Sequence, residues 1–294
     1  MRQGFVKKAK FYQIAQHLVS MADYLRLPIA MTFWIRATSR AAITAVLVFP
    51  NAPAVAADKC LVTSGPQRTA VLELYTSEGC DSCPPADNWV RGLPARKLAP
   101  SRVIPLAFHV DYWNNTGWID SYAQARFSER QRWHSRRRGA SFVFTPQILL
   151  NGQDYRRAPL FDDIASRVET INQTKPQAEI RLHLKRNDPR LDSEVEVAVR
   201  GDAGQRQAET YLALYENNLE NTVNSGENKG LTLSHDFVVR ELVGPLTLDD
   251  KGKLRHVKSF DLDPRWKLQD INLAVFVQHP RNGDILQALS ASCH

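Results

Sequence analysis

The sequence predicts an α/β domain followed by a β-rich domain, after an N-terminal leader. Three observations carry this. A Cys-x-x-Cys pair, Cys80 and Cys83, lies between an apolar run and a helical stretch. Upstream of Thr174-Lys175-Pro176 the strand and helix patterns alternate. Downstream of it the hydrophobic period becomes two, as in half-buried strands.

In chain order, residues 71–76 read as a strand, and 85–91 as a short helix stopped by Gly92 and Pro94. Residues 103–110 are a second strand and 121–136 a polar, Arg-rich helix. A third strand, 147–150, ends in the hairpin signal Asn151-Gly152. Residues 159–171 open with Pro159 and place Leu160, Ile164, Val168 and Ile171 at helical spacing. This β-α-β…β-β-α order is that of thioredoxin, with an insertion from near Asp111 to near Ser141 after the second strand. Beyond Pro176, residues 178–184, 195–199 and 209–215 alternate, and 271–277 form a further apolar strand, with no convincing helix between them. The predicted fold is therefore an α/β thioredoxin-like domain over 58–176 followed by a β-sandwich-like domain over 177–294.

Residues 1–57 read as a leader with a signal peptide. The apolar run 41–50 follows Arg36 and Arg40 and precedes the small-residue pattern Ala54-Val55-Ala56-Ala57. A membrane span needs about 20 apolar residues, so the run fits a signal-peptide core better than an anchor. Met31 would start a leader of ordinary length. The predicted location is periplasmic or secreted, with no stable membrane span after processing. The formal charge of +7 belongs largely to this segment: it holds seven of the 38 basic residues and one of the 31 acidic ones, leaving 31 against 30. A near-neutral mature chain has no electrostatic footprint for nucleic acid.

All four cysteines follow the leader, and an even count in an oxidising compartment reads as disulfides. Cys80 and Cys83 pair locally, which leaves Cys60 and Cys293 to tie the two ends of the mature chain together as a structural bridge. In the local pair a helix N-terminus stabilises the thiolate of the first cysteine. Cys80 is expected to be the exposed attacking sulfur and Cys83 the buried resolving one. Glu78 and Asp81 oppose thiolate formation, whereas Pro84 and Pro85 suit the first helical turn. Thr145-Pro146, before the third strand, is the position of a substrate-positioning cis-proline in this order of elements. His109 and Asp111, at the end of the second strand, are candidates for proton transfer. Arg126, Arg130, Arg132, Arg136, Arg137 and Arg138 read as a solvated helix face.

Three segments carry a family resemblance. Residues 72–87, around Glu78-Gly79-Cys80-Asp81-Ser82-Cys83-Pro84-Pro85, are the most specific. The others are Phe108-His109-Val110-Asp111-Tyr112-Trp113 with Phe144-Thr145-Pro146-Gln147, and residues 226–240. Together they resemble a bacterial family of secreted thioredoxin-like proteins without an assigned function, domain-of-unknown-function family 1223. The resemblance implies a thioredoxin-like fold and redox-capable cysteines, and supplies no reaction. The function expected is an exported thiol–disulfide oxidoreductase acting on protein or small-molecule thiols and disulfides, with no cofactor and no metal. The alternative is a copper-binding or substrate-binding module using Cys80, Cys83 and His109 without catalysis; copper-delivery relatives carry a longer cysteine spacing, which puts it second. Residues 226–240 either cover the redox site or form a plain turn and strand.

Overall fold

The computed structural model describes residues 59–156, 162–202 and 207–293, so the predicted leader lies outside the described residues. The elements are β1 (Lys59–Thr63), β2 (Ala70–Thr76), α1 (Pro84–Arg91), β3 (Val103–His109), α2 (Ala125–Arg137), β4 (Gln147–Leu150), β5 (Gln153–Asp154) and α3 (Ile164–Asn172). They continue with β6 (Ala178–Asn187), β7 (Arg190–Val199), β8 (Glu209–Glu216), β9 (Leu219–Thr222), β10 (Thr232–His235), β11 (Val238–Thr247), β12 (Lys253–Asp261), β13 (Ile271–Gln278) and β14 (Ile285–Ala291). β2 and β3 are buried at every position, which explains their unbroken apolar reading. α2 begins four residues later than its pattern suggests. Asp120 holds the preceding segment in turns, accepting from the amides of Tyr122 and, through its carbonyl, of Ala123.

The fold is β-rich, and this overturns the expected α/β thioredoxin-like domain with a separate β-sandwich after it. An eight-stranded mixed sheet runs in the order β14-β13-β8-β11-β3-β2-β4-β5 and takes strands from both halves of the chain. β11 lies parallel to β3, with Val238 opposite Ala107 and the Ala107 amide donating to the Phe237 carbonyl at 2.8 Å. Periodicity within each half was legible, but an open sheet edge has no sequence signature, and β3 accepts its neighbour from 131 residues downstream. A second sheet, β1-β6-β7-β12, covers the other part of the large one. Ile180, Leu182, Val195 and Val197 share a core there with Leu212, Leu214, Leu273 and Val275.

The second core holds Tyr75, Phe108, Phe127 and Phe276. An ion pair lies inside it. Arg130 donates to both carboxylate oxygens of Glu73 at 2.8 and 2.9 Å, with its guanidinium 4.7 Å from the Tyr211 ring and 5.2 Å from that of Phe276. Arg130 therefore departs from the solvated face assigned to it, because α2 turns that side onto the sheet. Cys60 and Cys293 are bonded across 233 residues of sequence. In the chain-entropy picture a loop of that size is stabilised by up to ~5 kcal/mol.

Burial alone would raise the Glu73 carboxyl, but Arg130 and His134 hold it well below the usual carboxylate range. Burial, reinforced by Arg130 and Arg137, pushes His134 down to about 4 from its ordinary 6.5. An unfolded chain takes up a proton at residue 134 below pH 6.5, and at residue 73 below pH 4.5, that the folded chain refuses. Stability is thus expected to fall as pH drops from 6.5 through about 4, measurable as a declining urea midpoint. Glu73→Gln, which strands the Arg130 charge, is expected to destabilise by about 3–5 kcal/mol in the same measurement.

Candidate functional site

β2 delivers the chain to a tight turn at its C-terminal end. The Cys80 amide donates to the Ser77 carbonyl and the Cys83 amide to the Cys80 carbonyl, both at 3.2 Å. Cys83 caps α1, and Pro84 and Pro85 occupy the first helical positions, where a missing N–H costs nothing. Cys80 and Cys83 form a disulfide with Cα atoms 5.4 Å apart. The two absent amides also weaken the positive end of α1 that faces the pair. Gly79 is needed for close approach: a Cβ there would meet Trp113 Cβ and Thr116 Oγ1 at 3.3 Å. Cys80 does not present an exposed sulfur, since both cysteines have 0 % exposure.

The cover comes from the second half of the chain. Asn228, itself buried, donates through Nδ2 to the carbonyls of Glu78 and Cys80, each at 2.9 Å. Glu227 accepts from the Asp81 amide at 3.2 Å. Glu78 is fully buried; its carboxylate accepts from Trp118 Nε1 at 2.8 Å and Asn221 Nδ2 at 3.0 Å, and contacts His235 Nε2 at 3.3 Å. Gly226, at φ +74°, sits so close to Trp118 that a Cβ would approach its Cβ to 3.1 Å. Residues 226–235 are a turn followed by β10, and through Glu227, Asn228 and His235 they pack over the cysteine turn. Arg240 lies to the side, its guanidinium over the rings of Tyr122 and Trp266.

Beneath the turn lies a cluster that no single motif announced. His109, at the end of β3, has no exposure and bonds through Nδ1 to Asp120 Oδ2 at 2.7 Å. Its Nε2 has no hydrogen-bond partner. His235, at the end of β10, stands with its ring 5.0 Å from that of His109 and its Nδ1 3.6 Å from Asp87 Oδ1. Asp87, one turn into α1, also accepts from Thr76 Oγ1 at 2.8 Å. Burial opposes the charge on His235, yet its contacts with Asp87 and Glu78 outweigh this and raise it to about 9. Burial likewise opposes ionisation of Asp120, and His109 with the amides of Glu78 and Tyr122 lowers it.

Thr145-Pro146 is a cis peptide, and Thr145 Oγ1 accepts from Trp113 Nε1 at 2.6 Å. Trp113 thereby spans from Gly79 to the cis-proline. A groove of about 560 Å³ runs alongside, lined by Ser82, Pro85, Trp89, Phe144, Pro146 and Tyr155. Asp111 is drawn away to Ser128, which donates to its carboxylate. The uncommitted nitrogen of His109 belongs to the cluster with Asp87 and His235, and the two cysteines are bonded to each other. Sequence reasoning missed the roles of Asp87, Asp120, Trp113 and Asn221. Asp87 and Trp113 lay inside the quoted segments, but only their neighbours in space reveal what they do.

Residues 71–278 match the profile of DUF1223, a family described as proteins of unknown function. The chain belongs to that family. The matched span contains the Cys80–Cys83 turn, the histidine cluster and residues 226–235, and excludes the Cys60–Cys293 bridge. No curated protein matches this DUF1223 member. Two solved structures are similar to it. An X-ray crystal structure of a protein from Agrobacterium tumefaciens, a structural-genomics target, is 25% identical with a TM-score of 0.54, covering 78% of this chain and 96% of that one. HBP35 of Porphyromonas gingivalis is 16% identical with a TM-score of 0.59, covering 78% of this chain and 76% of its own, and carries information on the fold alone. Among the described residues no helix is long and apolar enough to cross a membrane.

Glu78 is the junction between the cysteine turn and its cover. Glu78→Ala leaves the half-buried donors of Trp118 and Asn221 without an acceptor, a cost of up to about 1–3 kcal/mol per group. The expected outcome is a fall in melting temperature of several degrees together with faster amide exchange across residues 225–231. Unchanged exchange there would show that the cover is held independently of Glu78.

Proposed function

We propose that this DUF1223 protein is an exported thiol–disulfide oxidoreductase that acts on protein substrates through Cys80 and Cys83. The observation that carries the reading is the pairing of a turn disulfide at a helix start with Thr145-Pro146 across one groove, Trp113 linking the two sides. The apolar groove wall, with Phe142 66 % exposed, favours an extended peptide over a small thiol. Export rests on the leader pattern and on the two disulfides.

In the oxidised state a substrate thiolate attacks Cys80 Sγ. A mixed disulfide forms, the Cys80–Cys83 bond breaks, and Cys83 leaves as a thiolate that takes a proton. A second substrate thiolate then attacks the substrate sulfur of the mixed disulfide and releases Cys80 as a thiolate. Two electrons and two protons pass from the substrate dithiol to the cysteine pair, and the reverse sequence reduces a substrate disulfide. Because both cysteines are buried, attack requires residues 225–231 to move off the turn, and Asn228 is the tether that must release.

The test is disulfide exchange with a model protein substrate. Cys80→Ser and Cys83→Ser are each expected to reduce exchange to the uncatalysed rate, and Asn228→Ala is expected to speed reduction of the pair by dithiothreitol several-fold. A folded parent whose Cys80–Cys83 bond resists dithiothreitol, or mutants as active as the parent, would make the disulfide purely structural.

A further inference from the structure

We propose that Asp87, His109 and His235 form a binding site for a divalent transition-metal ion of the zinc class. One donor atom from each of the three lies within 4.8 Å of the other two. The three donor atoms face one common point. His109 and His235 each use one ring nitrogen on a carboxylate, Asp120 and Glu78 respectively. The other nitrogens, His109 Nε2 and His235 Nδ1, are buried and have no hydrogen-bond partner. A ligating imidazole is held in this way: its distal nitrogen donates to a carboxylate, which fixes the tautomer and turns the remaining lone pair to the ion. Asp87 is braced in the same manner by the Thr76 hydroxyl on Oδ2, leaving Oδ1 towards His235.

Distance and charge agree with this assignment. Tetrahedral bonds of about 2.0–2.1 Å place neighbouring ligand atoms roughly 3.3 Å apart. The 3.6 Å between Asp87 Oδ1 and His235 Nδ1 is close to that separation. Three carboxylates, Glu78, Asp87 and Asp120, surround the two imidazoles, and all three are at least nine-tenths buried. Among the described residues no arginine or lysine pairs with these three carboxylates, and the His109 Nε2 lone pair has no partner either. A dication answers both. Two imidazoles and one carboxylate are a borderline-soft set that suits zinc, and too few oxygens for calcium or magnesium. Tyr122 stands edge-on to both imidazoles at 5.2 and 5.8 Å and closes one wall. The three ligands are 22 and 126 residues apart in sequence, which is why no metal-binding spacing appears there. An ion at this point would pin α1, β3 and β10 together directly beneath the cysteine turn.

The test uses the oxidised mature chain, in which both disulfides are closed and no free cysteine can ligate. Zinc titration after chelation is expected to give about one ion per chain, with a raised melting temperature. Cobalt is expected to give visible d–d bands of a four-coordinate nitrogen and oxygen site without sulfur charge transfer. His109→Gln and His235→Gln are expected to weaken zinc at least about 100-fold, and Asp120→Asn about 10–100-fold. Circular dichroism of each variant without metal separates lost ligation from lost folding, and the cobalt spectrum of the parent needs no variant at all. A parent that takes up no zinc and leaves the cobalt spectrum that of the aqueous ion would overturn the site. So would stoichiometric zinc that the two folded histidine variants retain. Neither outcome bears on exchange at Cys80–Cys83, which is read separately.

Discussion

The parallel contact between β3 and β11 is the constraint on which the site depends. With Val238 opposite Ala107, the turn at residues 235–237 is brought against the last residues of β3. That contact puts His235 beside His109 and sets the 219–235 hairpin region over the cysteine turn. Without it, β2, β3 and β4 would form a short sheet with an open edge, and Cys80 would face solvent. The same pairing extends the sheet into β8, β13 and β14, so the fold and the cover over the cysteines are products of one register.

Buried charge follows the same logic on both sides of the sheet. Glu73 is compensated inside the core by a bidentate Arg130 and shielded by Tyr211 and Phe276. Such a pair contributes little net stability compared with apolar packing, but losing one partner is costly. Glu78, Asp87 and Asp120 have no arginine of that kind. Their partners are imidazoles, an indole, amides and hydroxyls, which satisfy hydrogen bonds and balance only part of the charge. The two sites show how one strand pair can host a closed structural ion pair at its centre and an under-compensated polar cluster at its end.

Much of the local structure was legible. β2, α1, β3 and β4 fall within one or two residues of their patterns because apolar runs, prolines and glycines act locally. The order of those elements nevertheless misled about architecture, since a shared order of strands and helices does not say where a sheet stops. Arg130 was misread for a related reason: six arginines on a helix look solvated until the orientation of α2 on the sheet is known. Asp87 and Asp120 were invisible as site residues because each is an ordinary acid in its own segment, with partners 148 and 11 residues away.

By itself the sequence determined the cysteine turn, with Gly79 before it and two prolines after it, and the even cysteine count that pairs Cys60 with Cys293. These are consequences of neighbouring residues and of counting. Only the tertiary structure decided that Cys80 is covered, that Glu227 and Asn228 do the covering, and that His109 meets His235. Those facts depend on which strand completes the edge of β3, a choice made by long-range burial and backbone pairing that no local pattern encodes.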